Sequence, residues 1–144
     1  SYNSSPAALK AALKTLDLVG QGKRTVAVLG NMNELGKESE HLHKEMGEIV
    51  PKYADYLITV GTDAKLIAEK AKEGGMDPKV VHSFNSSGEA AEFFKNKVEK
   101  DDVILVKGSQ NRVRLERFVK EIMAHPEEAK NLLVRQEKVW EAKL

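Results

Sequence analysis

The chain has 144 residues, 41% of them hydrophobic and 31% charged, which is typical of one soluble globular domain. Lysine and arginine total 23, and aspartate and glutamate total 22, so the formal net charge of +1 argues against a general nucleic-acid binder. The chain has no cysteines, which excludes disulfides, thiolate metal ligands and a cysteine nucleophile, and no apolar run approaches the length of a membrane span.

Four short apolar runs predict β-strands, and three of them end in glycine. In chain order they span residues 25–30, 56–61, 80–84 and 103–108. Continuous apolar runs of this length are typical of strands that are buried on both faces, as in a parallel sheet.

Five segments with apolar residues at helical spacing predict α-helices around these strands. They span residues 6–18, 38–50, 64–72, 88–98 and 114–124. The first follows Ser4 or Ser5 as a cap and has Pro6 at a tolerated first-turn position. The charged tail 126–144 has apolar residues spaced for one or two amphipathic helices.

Strands that alternate with helices predict right-handed βαβ units. We therefore expect one domain over residues 1–144, an α/β three-layer sandwich with a mostly parallel sheet and a C-terminal helical tail at 126–144. The loops that begin at Gly30, Gly61 and Gly108 should lie along one edge of this sheet. Ligands bind at the carboxyl edge of such sheets, so function is expected there.

Four separated segments carry a family resemblance. Residues 1–6 read Ser-Tyr-Asn-Ser-Ser-Pro, residues 28–36 read Val-Leu-Gly-Asn-Met-Asn-Glu-Leu-Gly, and residues 105–109 read Leu-Val-Lys-Gly-Ser. The predicted second helix contains a Ser-x-x-Leu-His-x-Glu-x-Gly pattern from Ser39 to Gly47. Taken in chain order, these segments resemble motifs that occur in the same order in the Mur ligases that join D-alanyl-D-alanine to a UDP-muramyl tripeptide.

The resemblance implies a Rossmann-like C-terminal domain of a three-domain, ATP-dependent ligase of peptidoglycan precursor synthesis. Such ligases phosphorylate the carboxylate of a UDP-muramyl peptide, and the incoming amine attacks the acyl phosphate to form an amide. ATP and Mg²⁺ would bind the full-length enzyme, in which the phosphate-binding loop belongs to the central domain. The expected partners are the N-terminal and central domains of the same ligase, the UDP-muramyl peptide and a D-Ala-D-Ala-like amine.

The chain alone is not expected to be catalytic. It contains no Gly-x-x-x-x-Gly-Lys-Ser/Thr motif, so it has no phosphate loop of its own. It opens at Ser1 without an initiator methionine, and we expect it to be part of a longer protein. Without a signal core, a cytoplasmic location with no membrane insertion and no nucleic-acid partner is expected.

The resemblance also implies the residues of the site. Nucleotide contacts are implied at Tyr2, Asn3 and Ser5, and substrate contacts at Gly30, Asn31, Met32, Glu34, Lys107, Gly108 and Ser109. Asn31 stands where the family motif has aspartate, and Gln110 stands where it has arginine. The exact amine substrate is therefore left open.

The residues alone leave structural alternatives open at each of these places. Ser5 would also serve as a simple helix cap, and residues 30–36 as a glycine-asparagine turn with Met32 packed beneath it. Lys107 would equally suit a turn with a solvated side chain. We interpret His43, near the apolar face of its helix, as a packed structural histidine.

Three further interpretations complete the prediction. Arg112, Arg114 and Arg117 are expected to form a solvated or domain-contacting face. The alternatives to a ligase domain are a freestanding Rossmann-like nucleotide-binding module and an interaction domain that uses the 126–144 tail. The first is weakened because no strand is followed by Gly-x-Gly-x-x-Gly.

Overall fold

The computed structural model describes residues 4–109 and 113–123 of the chain. The helices in these residues are α1 (Pro6–Val19), α2 (Ser39–Ile49), α3 (Ala64–Glu73), α4 (Ser87–Phe94) and α5 (Leu115–Ile122). The strands are β1 (Thr25–Gly30), β2 (Tyr56–Val60), β3 (Val81–Phe84) and β4 (Val103–Lys107). Short 3₁₀ helices cover Gly36–Glu38, Val50–Lys52 and Pro78–Val80.

The four strands form one parallel sheet in the order β3-β2-β1-β4. Gly30 at the end of β1 is in register with Val60 of β2, and Leu29 is in register with Lys107 of β4. The carboxyl ends of β1, β2 and β4 therefore lie side by side at one edge.

Successive residues of the strands pack into two separate hydrophobic cores, one on each face of the sheet. Ala27 and Leu29 of β1 belong to a first core with residues of α1, α2 and α3, whereas Val26 and Val28 belong to a second core with residues of α4 and α5. Because side chains alternate across a strand, a run of apolar residues fills both cores at once. The result is the predicted three-layer α/β sandwich.

The chain reverses its direction across the sheet between β1 and β4. From β1 to β2 and from β2 to β3 it moves one way, with α2 and α3 on the first face. From β3 it returns past β2 and β1 to β4, with α4 on the second face. The loop after β1 leads to α2 and the loop after β4 leads to α5, so these two loops diverge to opposite faces. This is the topological switch point at which open α/β sheets form a ligand crevice.

The amino edge of the sheet is closed by polar contacts between the strand starts. Arg24 donates from Nε and Nη2 to the Asp102 carboxylate at 2.8 and 2.6 Å, and thus joins β1 to β4. The Asp55 carboxylate accepts from the backbone N–H and the hydroxyl of Thr25 at 2.9 and 3.0 Å, which joins β1 to β2. Burial raises the pKa of Asp102, but hydrogen bonds from Arg24 and the Glu99 N–H outweigh it, so the net pKa lies below the ordinary value.

Most predicted elements are confirmed to within two residues at each end, and the largest difference is in the fourth helix. The fourth helix was predicted to reach residue 98, but α4 ends at Phe94. There the Lys97 and Val98 N–H groups both turn back to the Phe94 carbonyl, and Arg24 binds the Lys97 carbonyl. The fifth helix starts at Leu115, one residue later than predicted, because Arg114 has a left-handed backbone with φ 47°. The predicted tail 126–144 lies outside the described residues.

Within the parts of the chain that the structure describes, no helix is long and apolar enough to cross a membrane.

Candidate functional site

The candidate site lies at the carboxyl edge, where the backbones of β1 and β4 approach closely. A Cβ atom added to Gly108 would lie 2.8 Å from the Gly30 Cα, and one added to Gly30 would lie 3.3 Å from the Gly108 Cα. Such distances leave no room for a side chain between the strands. The two glycines therefore let the loops after β1 and β4 leave the sheet from a common point.

Ser109 ties these two loops together with its backbone and its side chain. Its N–H donates to the Asn31 carbonyl at 2.8 Å, and its hydroxyl oxygen accepts the Asn33 N–H at 2.8 Å. The hydroxyl oxygen of Ser109 is an acceptor for one N–H of the loop, and its backbone N–H is a donor to one carbonyl of the loop. The loop of residues 30–36 is thus held against β4 by two hydrogen bonds.

Asn31 reaches to the neighbouring loop and caps α3 from outside that helix. Its Oδ1 accepts the Ala64 N–H at 2.8 Å, whereas Asp63 at the N-cap position makes no side-chain cap bond. Asparagine and aspartate are similarly good caps, so this structural role does not require the aspartate of the family motif. Gly61 makes room for the amide, since an added Cβ would lie 2.5 Å from the Asn31 Oδ1.

Met32 contributes to the site through its backbone. Its side chain is only 1% exposed and belongs to the first hydrophobic core, as the structural alternative for this turn predicted. Its N–H donates to the His43 Nε2 at 3.0 Å, and this ring is fully buried. The predicted substrate contact of Met32 therefore has no exposed side chain to support it, and the residue anchors the loop.

Glu34 occupies the tip of the same loop and is exposed to solvent. Its φ of 65° lies in the left-handed region, which costs a non-glycine residue about 1–2 kcal/mol. Strained residues of this kind concentrate at ligand sites, where the surrounding structure maintains them. Its carboxylate is available to bind an ammonium group above the crevice.

Lys107 brings a positive charge to the same edge. It is the last residue of β4 and is half-buried. Alternation along the strand places it on the same face as Leu105, which packs against the first core. The crevice is therefore flanked by one cation from β4 and one carboxylate from the 30–36 loop.

The predicted nucleotide residues are described only in part. Tyr2 and Asn3 lie outside the described residues. Ser5 is the N-cap of α1, and its hydroxyl oxygen accepts the Ala8 N–H at 3.2 Å. The structural alternative of a capping serine is thus realised, and the hydroxyl hydrogen of Ser5 is left to donate elsewhere.

Arg114 is buried, which departs from the expected solvated or domain-contacting arginine face. Its side chain is 8% exposed, and its Nε lies 2.8 Å from Oε1 of Glu116, which is buried to the same extent. The backbone of Arg114 is left-handed, with φ 47°, a conformation that sequence spacing does not reveal.

Two observations concern metal and phosphate binding at this edge. Within residues 4–109 and 113–123, no cluster of three or more His, Cys, Asp or Glu side chains could hold a metal ion. The Met32 and Asn33 N–H groups bind His43 and Ser109, so they are not available to cradle a phosphate. The crevice is suited to bind a small polar or zwitterionic ligand.

A groove of about 470 Å³ lies at the opposite, amino edge of the sheet. Two of its cations are engaged within the protein, since Arg24 binds Asp102 and Lys97 lies 4.6 Å from the centre of the Phe93 ring, and Lys79 also lines it. Burial is also the main reason that the pKa of His82 in this groove is lowered. We therefore place the candidate site at the carboxyl edge, on topology and on the chemistry of its residues.

Comparison with known proteins gives a family match and several relatives. The family model described as "Mur ligase, glutamate ligase domain" matches residues 1–110. A UDP-N-acetylmuramoyl-tripeptide--D-alanyl-D-alanine ligase of Bacillus subtilis (strain 168) is 36% identical over 128 residues, which are 88% of this chain and 27% of that protein. The ligase of the same name from Rickettsia prowazekii (strain Madrid E) is 30% identical over 128 residues, covering 82% of this chain and 25% of that protein.

Solved structures show the same fold. MurF from Acinetobacter baumannii matches with a TM-score of 0.69 and 22% identity, over 85% of this chain and 26% of that one. MurF ligase from Thermotoga maritima, solved in complex with ADP, matches with a TM-score of 0.67 and 26% identity, over 92% of this chain and 28% of that one. The chain thus spans about a quarter of the length of the curated relatives that it matches. With a family match over residues 1–110, the chain belongs to the Mur ligases and contains their C-terminal, glutamate ligase domain.

Proposed function

We propose that this chain is the C-terminal domain of a ligase that adds D-alanyl-D-alanine to a UDP-muramyl tripeptide. Two curated relatives carry the name of such a ligase. Two of the segments that resemble the family, residues 28–36 and 105–109, meet at the switch point around Gly30 and Gly108. This crevice is the observation that carries the proposal. A freestanding nucleotide-binding or interaction module is not favoured, because the relatives are longer ligases.

The proposed role of the domain is to bind and orient the amine. A dipeptide amine has an ammonium group at one end and a carboxylate at the other. Glu34 is assigned to the ammonium group, and Lys107 to the carboxylate as a point charge. The backbone of Gly108 and the hydroxyl of Ser109 would lie between them. Positioning of this kind raises the rate because the reacting atoms are held in attack geometry.

ATP would supply the phosphoryl group that activates the muramyl carboxylate in the full-length enzyme. Among the described residues, Ser5 is the candidate for a nucleotide contact through its hydroxyl hydrogen, and Tyr2 and Asn3 are proposed beside it. The described residues offer no fit for Mg²⁺, because they contain no cluster of metal ligands. We therefore assign Mg²⁺ and the phosphate-binding loop to the other domains of the ligase, in a cytoplasmic enzyme.

The test is ATP-dependent amide formation by the full-length protein. The protein is supplied with UDP-muramyl tripeptide, D-alanyl-D-alanine and MgATP, and the product is identified by mass spectrometry. We expect phosphate release that depends on the dipeptide. Amide formation with another amine but none with the dipeptide would refute the assigned substrate, and no amide with any amine would refute the ligase function.

A pair of lysine variants tests the assigned site. Lys107→Ala should lower kcat/KM for the dipeptide by about tenfold or more, since it removes one charged contact to the substrate. Lys79→Ala is the matched control, because Lys79 lines the groove at the opposite edge of the sheet. Equal effects of the two substitutions would argue against the carboxyl edge.

A further inference from the structure

His43 holds a fixed arrangement between α2 and the 30–36 loop. Its Nδ1 lies 2.7 Å from the Ser39 carbonyl oxygen, and its Nε2 lies 3.0 Å from the Met32 N. A carbonyl oxygen only accepts and a backbone N–H only donates. The ring is therefore a donor at Nδ1 and an acceptor at Nε2, which defines a single neutral tautomer.

The two bonds of His43 have different purposes. The bond from Nδ1 to Ser39 lies within α2 and fixes the orientation of the ring against the first turn of the helix. The bond at Nε2 acts on the loop, because the buried Met32 N–H has no other hydrogen bond to a described residue. A buried N–H without a partner is costly, so the loop backbone is strongly drawn to this position.

Successive N–H groups of the loop are held from opposite sides. His43 binds the Met32 N–H from α2, and Ser109 binds the Asn33 N–H from the loop after β4. The next residue, Glu34, is exposed and has a left-handed backbone. Glu34 directly follows the two anchored N–H groups in the chain. The direction of its carboxylate therefore depends on both the His43 bond and the Ser109 bond.

We propose that His43 is a positioning residue for the amine substrate, which acts through the Met32 N–H to orient Glu34. The inference rests on the proposed function, since it assigns Glu34 to the ammonium group of the substrate. His43 itself is fully buried and does not reach the crevice. Its effect on the reaction is exerted through the loop backbone.

Two amide substitutions separate the two hydrogen bonds of the ring. The side-chain oxygen of glutamine can replace Nε2, so His43→Gln retains the acceptor for the Met32 N–H. The side-chain nitrogen of asparagine can replace Nδ1, so His43→Asn retains only the donor to Ser39. Both variants lose an aromatic ring from the core, and asparagine is also the shorter side chain and the weaker helix former, so KM for ATP reports any general structural effect.

The first measurement uses the full-length ligase. His43→Asn should raise KM for the dipeptide by about five- to tenfold, the effect of one hydrogen bond, with KM for ATP unchanged. His43→Gln should remain within about twofold of the wild-type KM. His82→Gln is the control for a histidine-to-amide change, because His82 lies at the amino edge. Equal KM values for the two His43 variants would overturn the proposal.

The second measurement uses the chain itself and needs no ligase activity. Amide hydrogen exchange at Met32 should accelerate at least about tenfold in His43→Asn and stay protected in His43→Gln, with Val28 in β1 unchanged in both. In the wild type, imidazole ¹⁵N signals should show a protonated Nδ1 and an unprotonated Nε2 for His43. The opposite tautomer would overturn the proposal even if a variant failed to fold. If the exchange results hold while no amine is a substrate, the function fails and the anchoring of the loop stands.

Discussion

Replacing Gly61 with alanine should destabilise the protein by more than its backbone conformation alone explains. Gly61 has a φ of 108°, which an L-residue rarely adopts, and its missing side chain leaves space for the Asn31 amide. An alanine Cβ would lie 2.5 Å from the Asn31 Oδ1 and 2.9 Å from its Nδ2. The amide would have to move away, and its bond to the Ala64 N–H would be lost or stretched.

The expected magnitude is the sum of two effects. A non-glycine residue at such a φ costs about 1–3 kcal/mol. Forcing the Asn31 amide out of a packed site costs about 1–3 kcal/mol more. The free energy of unfolding should therefore fall by about 2–6 kcal/mol, a large part of the stability of a domain of this size.

Gly75 offers a matched control for the backbone effect. It has a φ of 102°, and nothing lies within 4 Å of an added Cβ. Gly75→Ala should therefore show only the cost of the backbone conformation, about 1–3 kcal/mol. The excess of Gly61→Ala over Gly75→Ala measures the contact with Asn31.

Urea unfolding followed by far-ultraviolet circular dichroism gives the free energies, and a double-mutant cycle isolates the contact. In an Asn31→Ala background the amide is absent, so Gly61→Ala should cost no more than Gly75→Ala does. The coupling free energy between Asn31 and Gly61 should be about 1–3 kcal/mol. Equal costs for the two glycine substitutions, or a Gly61→Ala cost unaffected by Asn31→Ala, would refute the packing of the amide against Gly61.

Three further predictions concern other contacts. Gly108→Ala should lower the free energy of unfolding in urea by about 1–3 kcal/mol or more, because its Cβ would lie 2.8 Å from backbone and side-chain atoms. Gly88→Ala is the control and should be neutral or stabilising, because no atom lies closer than 4.0 Å to its Cβ. The reverse order of the two effects would refute the close approach of the strands. Asp102→Asn should destabilise most above about pH 5 and progressively less as the pH falls through the lowered folded pKa of Asp102, since its ionised form is stabilised by Arg24; a cost independent of pH between 2 and 6 would contradict this. Ser86→Ala should cost about 1 kcal/mol by removing the capping box of α4, and an unchanged urea midpoint would argue against that box.

Much of the sheet could be predicted from the sequence because its strands are buried on both faces. Continuous apolar runs of that length, rich in β-branched residues and bounded by glycine, favour such strands over a buried helix, and the glycines mark where the chain leaves the sheet. The expected alignment of the loops after Gly30, Gly61 and Gly108 is confirmed, since Asn31 contacts both Gly61 and the loop after β4. This prediction required only that the strands be parallel.

The strand order was beyond the sequence patterns. β1 and β4 are neighbours although their paired residues, such as Thr25 and Val103, are far apart along the chain. Hydrophobic periodicity predicts which residues are buried, but it does not predict which strands pair. The close approach of Gly30 to Gly108 follows from that strand order, so the sequence patterns do not predict this contact either.

The internal partners of the site residues were also beyond the sequence patterns. Arg114 lies between two further arginines, Arg112 and Arg117, a pattern that favours a solvated or domain-contacting face, but its backbone is left-handed and its side chain is buried beside Glu116. Asn31 is predicted to contact the substrate, and its side-chain oxygen binds the Ala64 N–H of another helix, a partner that the sequence does not reveal. A loop's dihedral angles decide such contacts, and short polar segments leave those angles undetermined.

The hydrogen bonds that anchor the 30–36 loop limit how far this loop can change its conformation. Reshaping the loop would break the bonds of Asn31 to Ala64, Met32 to His43 and Asn33 to Ser109. At about 1 kcal/mol each, their loss would leave an altered loop in only about one molecule in a hundred. The loop should therefore keep one shape in almost all molecules. Under the proposed function, the choice between amines would then depend on which molecule fits a crevice of fixed shape. Changing that choice would require substitutions at the anchoring residues as well as at the residues that contact the ligand.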